Sequence, residues 1–311
     1  MGVALATGRE FARLEGHSLQ LYRLAVARWL DDAFFALARA LEVDFLFECG
    51  AFDARTSVRF VSAGNRSAVA IEANPSTYEA ATIEARKSGV ETVNLGLSDK
   101  QGTATFFIPQ GAHVTSNASF LRKPGAAYEE MEIPLKTLDD ISGTYGLESQ
   151  SVALWVDVEG LAKPVLEGGK SLLASPRCKL VKVEVETKGH WSGQALADQV
   201  DALMQECGLT PVLRDHEFDG QHNVIYVRDS AVSGLDEIII QQWALLGSVR
   251  SPLRSRAWSA ARAKAQSAAH RVKLRVMSGD SAPTLLHRAA AAMGSFSSAR
   301  IIEKRKDRTP S

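Results

Sequence analysis

An α/β fold is predicted: an open, mostly parallel sheet with helices on both faces, a β-hairpin insertion, and a basic carboxyl-terminal extension that is helical or partly disordered. Three observations predict it. Short apolar runs alternate with stretches of helical period from residue 44 to about 230, the signature of strand–helix crossovers. Residues 152–158 form an almost unbroken apolar run, as expected of a central parallel strand covered on both faces. Residues 103–108 and 130–138 alternate instead and carry Thr, Phe and Ile, so they read as an inserted antiparallel pair.

Taken in order, residues 9–42 read as helix. Phe11, Leu14, Leu19, Tyr22, Val26, Trp29, Leu30, Phe34, Leu37 and Leu41 recur at three-to-four spacing with charges between them. Packing against the sheet edge is the expectation; a lid or dimer surface is the alternative. A strand over 44–49 precedes a helix over 55–62, which stops at Gly64-Asn65. A strand over 68–73 leads into a helix from 75 to 88, opened by Asn74-Pro75-Ser76 with proline in its first turn and ended by Gly89. A third strand covers 91–97 and turns at Ser98-Asp99-Lys100-Gln101-Gly102.

The loop over 109–129 holds His113, Thr115, Ser116, Asn117, Ser119 and Arg122. Loops of that length in compact domains are functional or disordered. After Leu138-Asp139-Asp140 come a short helix, the 152–158 strand, and a helix over 163–173 with Pro164 near its start. A strand over 179–186 and a helix over 194–207 follow. Strands over 210–214 and 223–228 are close enough for a hairpin that leaves one antiparallel strand at the sheet's end. On the 179–186 strand, Lys182, Glu184 and Glu186 share one side. Burying three charges is costly, so that side opens onto a polar site or the strand frays. Residues 1–43 thus read as helices, 44–230 as the main domain and 231–311 as the extension.

Of 311 residues, 45% are hydrophobic and 23% charged, which suits a soluble globular protein. The zero formal charge is uneven. Residues 248–311 hold ten Arg and four Lys against Asp280, Glu303 and Asp307, so an acidic body carries a basic tail. That tail reads as a solvated helix and loose end, or as an arm for an anionic membrane surface. Nucleic acid is not expected, because no reader motif accompanies the charge. Cys49, Cys178 and Cys207 lack paired or metal-ligand spacing, which points to reduced thiols. Charges at Arg9, Glu10, Arg13 and Glu15 argue against a leader, and no uncharged run approaches the roughly 20 residues that span a bilayer. The expectation is a cytoplasmic protein, at most peripheral at a membrane. Oligomeric state is not written in the sequence.

Two stretches carry the chemistry. Phe45-Leu46-Phe47-Glu48-Cys49-Gly50-Ala51 and Val69-Ala70-Ile71-Glu72-Ala73-Asn74-Pro75 are apolar runs ending in acids about twenty residues apart. This is the grammar of a nucleotide site at the open end of a parallel sheet. The first turn brings backbone N–H groups to the ligand, and the second acid accepts two ribose hydroxyls.

Seven pieces in register resemble the FkbM family of S-adenosylmethionine-dependent methyltransferases. They are Phe47-Glu48-Cys49-Gly50-Ala51, Ile71-Glu72-Ala73-Asn74-Pro75, Asn94-Leu95-Gly96-Leu97-Ser98-Asp99, Gly102-Thr103-Ala104-Thr105-Phe106, Leu138-Asp139-Asp140, Asp157-Val158-Glu159-Gly160 and Val183-Glu184-Val185. The resemblance covers about residues 44–190. It implies a Rossmann-like fold and O-methyl transfer, often to sugar or natural-product hydroxyls. It implies that Glu48, Gly50 and Ala51 line the methionine part of S-adenosylmethionine, that Glu72 holds the ribose with Asn74 beside it, and that Ser98 and Asp99 lie near the adenine. Asp157 and Glu159 would stand next to the methyl group. The chain departs from the family at Phe52 and Ala54, where Asn and Gly are usual, and at Leu161-Ala162, where Ala-Glu is common. Ala54 would add a methyl where backbone and cofactor come close.

Methyl transfer from a sulfonium needs an aligned acceptor oxygen and often a base. Asp157, Glu159, Glu184 and His113 are the candidates, Asp157 first because such sheets place their sites at strand carboxyl ends. Asp157, Glu159 and Glu184 together also offer oxygen ligands to a divalent ion, although no metal site is assigned. The rival readings are a catalytically weak or inactive scaffold and a nicotinamide-dependent oxidoreductase, whose pyrophosphate normally needs more glycines than Gly50 alone. The acceptor is expected to be a small molecule or glycan chosen by the 109–129 loop.

Overall fold

The computed structural model describes residues 16–64, 66–110 and 118–246. Helix α1 (Gly16–Ala40) is followed by β1 (Phe45–Cys49), α2 (Arg55–Ser62), β2 (Ser67–Glu72), α3 (Pro75–Lys87) and β3 (Glu91–Asn94). Three strands then leave the main sheet: β4 (Gly96–Leu97), β5 (Gly102–Pro109) and β6 (Tyr128–Lys136). Next come α4 (Leu138–Ser142), β7 (Val152–Val156), α5 (Ala162–Glu167), α6 (Lys170–Ala174), β8 (Cys178–Glu186) and α7 (Ala197–Glu206). The described chain ends with β9 (Leu209–Arg214), β10 (Gln221–Arg228), α8 (Asp229–Val232), a 3-10 turn and α9 (Asp236–Leu246).

The main sheet has seven strands in the order β3-β2-β1-β7-β8-β10-β9. The strands from β3 to β8 pair in parallel, and β10 runs antiparallel to both β8 and β9. The central strands β1 and β7 are buried throughout, as their apolar sequences require. One face packs Phe45, Phe47, Leu154, Val183 and Tyr226 against α5, α6 and α7. The other packs Leu46, Trp155, Leu180 and Ile225 against α1, which buries Tyr22, Val26, Trp29, Leu30, Phe34 and Leu37 along one stripe. Helix α3 opens as its sequence dictates: Asn74 Oδ1 accepts the Ser76 N–H at 3.1 Å, and Pro75 fills the first position.

Three expectations are corrected. The antiparallel strand of the final hairpin lies one place in from the edge. β10 is apolar and buried, so it needs neighbours on both sides, whereas Pro211 in β9 lacks an N–H and suits an edge. The third predicted strand divides at Leu95, and its end, β4, joins β6 in a separate three-stranded sheet with β5. The helix predicted over 163–173 breaks at Gly168-Gly169, where a Cβ on Gly168 would lie 2.1 Å from the Ser98 carbonyl oxygen.

Arg228 ties the far side together. Its buried guanidinium donates to the carbonyls of Cys178 at 3.0 Å and Gly208 at 3.1 Å, and also to those of Leu173 and Cys207. It thereby satisfies carbonyls at the ends of α6 and α7 that the helices leave without partners. None of the described helices is long and apolar enough to cross a membrane.

Candidate functional site

A cleft opens at the carboxyl ends of β1, β2 and β7, where the sheet's crossovers diverge. Its first wall is the turn after β1. Gly50 and Ala51 both donate their N–H groups to the Ile71 carbonyl at 2.9 Å, which draws the turn against β2. Gly50 has φ +80, and a Cβ there would sit 1.8 Å from the Asp157 carbonyl oxygen, so only glycine fits. Phe52 and Ala54 also take left-handed backbone angles, φ 46 and 57, which is uncommon for side chains of their size.

Glu72 holds this turn. One carboxylate oxygen accepts the Phe52 N–H at 2.8 Å, and the other accepts the Asn74 N–H at 2.8 Å. Burial holds its carboxyl above the usual range. Asn94 adds to the clamp by donating to the carbonyls of Glu72 at 2.8 Å and Ala73 at 3.1 Å.

The second wall is apolar. Leu95, Gly96 and Leu97 leave the main sheet there, and Phe106 of β5 and Phe120 of the β5–β6 connection fold back over them. The Phe120 ring occupies the space a Gly96 side chain would need. The third wall is Asp157, Val158, Glu159 and Leu161 after β7. Glu159 has φ 45, and its carbonyl accepts the Ser119 hydroxyl at 2.8 Å, which joins the insertion to this loop.

The acids here are unusual. Burial pushes the Asp157 carboxyl up to about 6, with Lys182 pulling the other way. Burial, reinforced by the charge of Asp157, pushes Glu159 up to about 8. Further along the same side of the sheet, Glu184 and Glu186 are buried and held above the ordinary range, again by desolvation. Lys182, Glu184 and Glu186 therefore share one side, as the alternation implied, and all three are buried. Among the described residues, no group of His, Cys, Asp and Glu has the arrangement of a metal site.

Of the residues singled out in the sequence, Gly50, Glu72, Asp157 and Glu159 line the cleft. Glu48 does not. It shares a sheet face with Glu72 and Asp157 but is buried beneath the start of α2, where its Oε2 accepts the Ser57 N–H at 2.8 Å. Ser57 is the third residue of α2, whose own N-cap, Ala54, offers no side-chain acceptor, so Glu48 serves as a cap from a neighbouring strand. Ala51 is buried behind the turn, and Asn74 is buried as the cap of α3 with its Nδ2 lacking a partner. Ser98 and Asp99 lie outside the lining because β4 carries them toward Gly168. Ala54 turns its methyl into a small-residue core with Ala51, Ala70, Ala81 and Ala85, away from the cleft. Phe52 does line the cleft, at its mouth, and is 45% exposed. His113 lies outside the described residues.

Sequence reasoning named Ser119 as a residue of the acceptor loop but missed Phe106 and Phe120 as wall residues, and it missed Asp31, which pairs with Lys182. The Asp31-Asp32 doublet gave no signal beyond a charged helix face.

Among solved structures, the chain is similar to WbdD, with TM-score 0.41 and 12% identity over 65% of this chain and 40% of that one. It is also similar to magnesium protoporphyrin IX methyltransferase from Synechocystis PCC 6803 with bound SAH, with TM-score 0.40 and 11% identity over 71% and 94% of the two chains. A SAM dependent methyltransferase from Aquifex aeolicus gives TM-score 0.35 and 11% identity over 71% and 97%. The chain thus spans 40% of the length of WbdD. No curated protein matches it. The methyltransferase FkbM domain model matches residues 48–209, more than half of the chain, from the end of β1 to the start of β9. On that match, the chain belongs to the FkbM methyltransferase domain family.

Proposed function

We propose that the protein is an S-adenosylmethionine-dependent O-methyltransferase acting on a hydroxyl of a sugar, glycan or natural product. The charge of the cleft carries this reading. Its described lining has three carboxyl groups, Glu72, Asp157 and the mainly protonated Glu159, and no Lys, Arg or His. Such a lining repels a pyrophosphate and so disfavours a nicotinamide dinucleotide. It suits a phosphate-free nucleoside that carries a positive sulfur.

When bound, S-adenosylmethionine supplies a methyl group on a sulfonium, which a nucleophile can displace in line. The chain's own residues do the rest. Gly50 keeps the turn free of side-chain bulk. Glu72 has accepted one N–H on each oxygen and retains a lone pair on each for ribose hydroxyls. Ile71, Leu95, Leu97 and Phe106 present apolar surface for an adenine. Ala54 turns away from the cleft, so that departure leaves the site clear.

The raised carboxyls divide the proton work. Asp157, at about 6, is mainly ionised at neutral pH yet more basic than an ordinary aspartate, and it accepts the proton the acceptor hydroxyl loses. Glu159, at about 8, is mainly protonated there and orients the acceptor by donating a hydrogen bond. The basic stretch over 248–311 supplies attraction to an anionic membrane surface, which suits a membrane-linked glycan as acceptor.

Calorimetry with S-adenosylhomocysteine and with NAD tests the cofactor: the first should bind and the second should not. Mass spectrometry of glycans from cells with and without the protein should show a gain of one methyl group. Asp157→Ala should keep S-adenosylhomocysteine affinity and abolish that gain. Binding of NAD alone, or of neither ligand, would overturn the proposal.

A further inference from the structure

A buried ammonium stands behind the cleft on the sheet face that α1 covers. Lys182 of β8 is paired in register with Trp155 of β7, and its Nζ lies 3.6 Å from the centroid of that indole. The same Nζ pairs with Asp31 of α1 at 3.0 Å, and Lys182 is only 4% exposed. Asp157 is two residues beyond Trp155, so the alternation of the strand sets it on the same side of the sheet. Burying an ammonium is costly, and an apolar side chain packed on Trp155 would avoid that cost. The position of this charge therefore asks for a reason beyond packing.

We propose that Lys182, pinned by Asp31 and seated on Trp155, is a positioning residue that acts through Asp157, so that α1 contributes to the reactive site from outside the segment the family match spans. This rests on reading Asp157 as the proton acceptor. The groups facing Asp157 come from every neighbouring element. They are Lys182, Glu184 and Glu186 from β8, Asp31 from α1, Glu72 from the end of β2, Glu217 from the β9–β10 connection, and Glu159 from its own loop. Among the described residues, Lys182 is the cation that acts on Asp157 itself; Lys123 of the insertion faces Glu159 and Glu186, and Asp215 also faces Lys182, whose direct ion pair is with Asp31. Lys182 thus keeps a carboxylate tolerable among like charges, and Asp31 fixes where that positive charge sits.

The two halves of the pair act on Asp157 with opposite sign, which makes the arrangement testable on the full chain without any acceptor. A carbon-13 carboxyl titration by NMR, with the Asp157 resonance assigned through Asp157→Asn, gives its midpoint directly. The wild type should titrate near 6. Lys182→Met should raise the midpoint by a unit or more, and Lys182→Arg should restore most of the difference. Asp31→Asn removes an acid and frees the ammonium, so it should lower the midpoint. Movement of both variants in one direction, or of neither, overturns the proposal. Should Lys182→Met fail to fold, the half-buried Asp31 position still decides the sign. The titration is read on the protein alone, so its outcome is separate from any failure to bind S-adenosylhomocysteine.

Discussion

The Glu72 carboxylate accepts the Phe52 backbone N–H at 2.8 Å, so the end of β2 holds the left-handed turn that follows β1. Its other oxygen holds the Asn74 N–H at the start of α3. One side chain thus fixes both lips of the cleft.

Replacing that acid should be costly. Glu72→Ala leaves two backbone donors without their acceptor, a loss of about 2–4 kcal/mol in all. S-adenosylhomocysteine affinity should fall at least ten-fold. Glu72→Gln keeps one acceptor oxygen and should recover about half the stability. Urea unfolding and calorimetry measure the two effects, and wild-type stability in Glu72→Ala would refute the clamp.

Glu48 makes stability depend on pH. Its carboxyl, ordinarily near 4.5, is pushed up to about 7 by burial. The folded state therefore holds a proton that the unfolded chain releases earlier. Its stabilising contribution is complete below about 4.5 and is lost as pH rises through about 7. The loss amounts to about 3 kcal/mol by pH 8. Glu48→Gln keeps an oxygen for the Ser57 N–H and should flatten much of this fall. Urea midpoints at pH 5 and pH 8 should differ less in the variant than in the wild type; equal differences would count against the assignment.

Arg228→Lys should destabilise the protein by about 3 kcal/mol. A single ammonium cannot reach the four carbonyls that the guanidinium fork engages, and each buried carbonyl left alone is costly. Arg228 is remote from the cleft lining, so S-adenosylhomocysteine affinity at a temperature where the variant is folded should change less than two-fold. A change in affinity without a change in stability would contradict this division.

Ala54→Gly pits two effects against each other. Glycine relieves the left-handed angle, worth about 1 kcal/mol. It also removes a buried methyl and loosens the unfolded chain, together about 1 kcal/mol in the other direction. Stability should stay within about 1 kcal/mol of wild type, and S-adenosylhomocysteine affinity within two-fold. A large gain in affinity would mean that the Ala54 methyl obstructs the cleft after all.

The parallel framework was legible because its signals are local. The apolar run of β7, the Asn74-Pro75 opening of α3 and the acid ending β2 need only neighbours in sequence. The failures arise where distant segments meet. Glu48 resembles a cleft acid in sequence, but the uncapped start of α2 folds over it and takes its carboxyl as a cap. Ser98 and Asp99 follow β4 away from the cleft because β4 pairs with β6, thirty-odd residues on. Nothing near Phe120 says that its ring will fill the place of a side chain on Gly96. Asp31 is one charge among many on a long helix, and its partner Lys182 lies far along the chain.

The seat of Gly50 on the Asp157 carbonyl leaves no slack, and the Asp157 N–H is itself held by the Cys49 carbonyl at 2.9 Å. The turn after β1 and the loop after β7 are thus yoked like two jaws on a single pin. Whatever presses on one jaw is felt at the other, and a guest that fills the hollow also sets the stance of the group meant to work beside it.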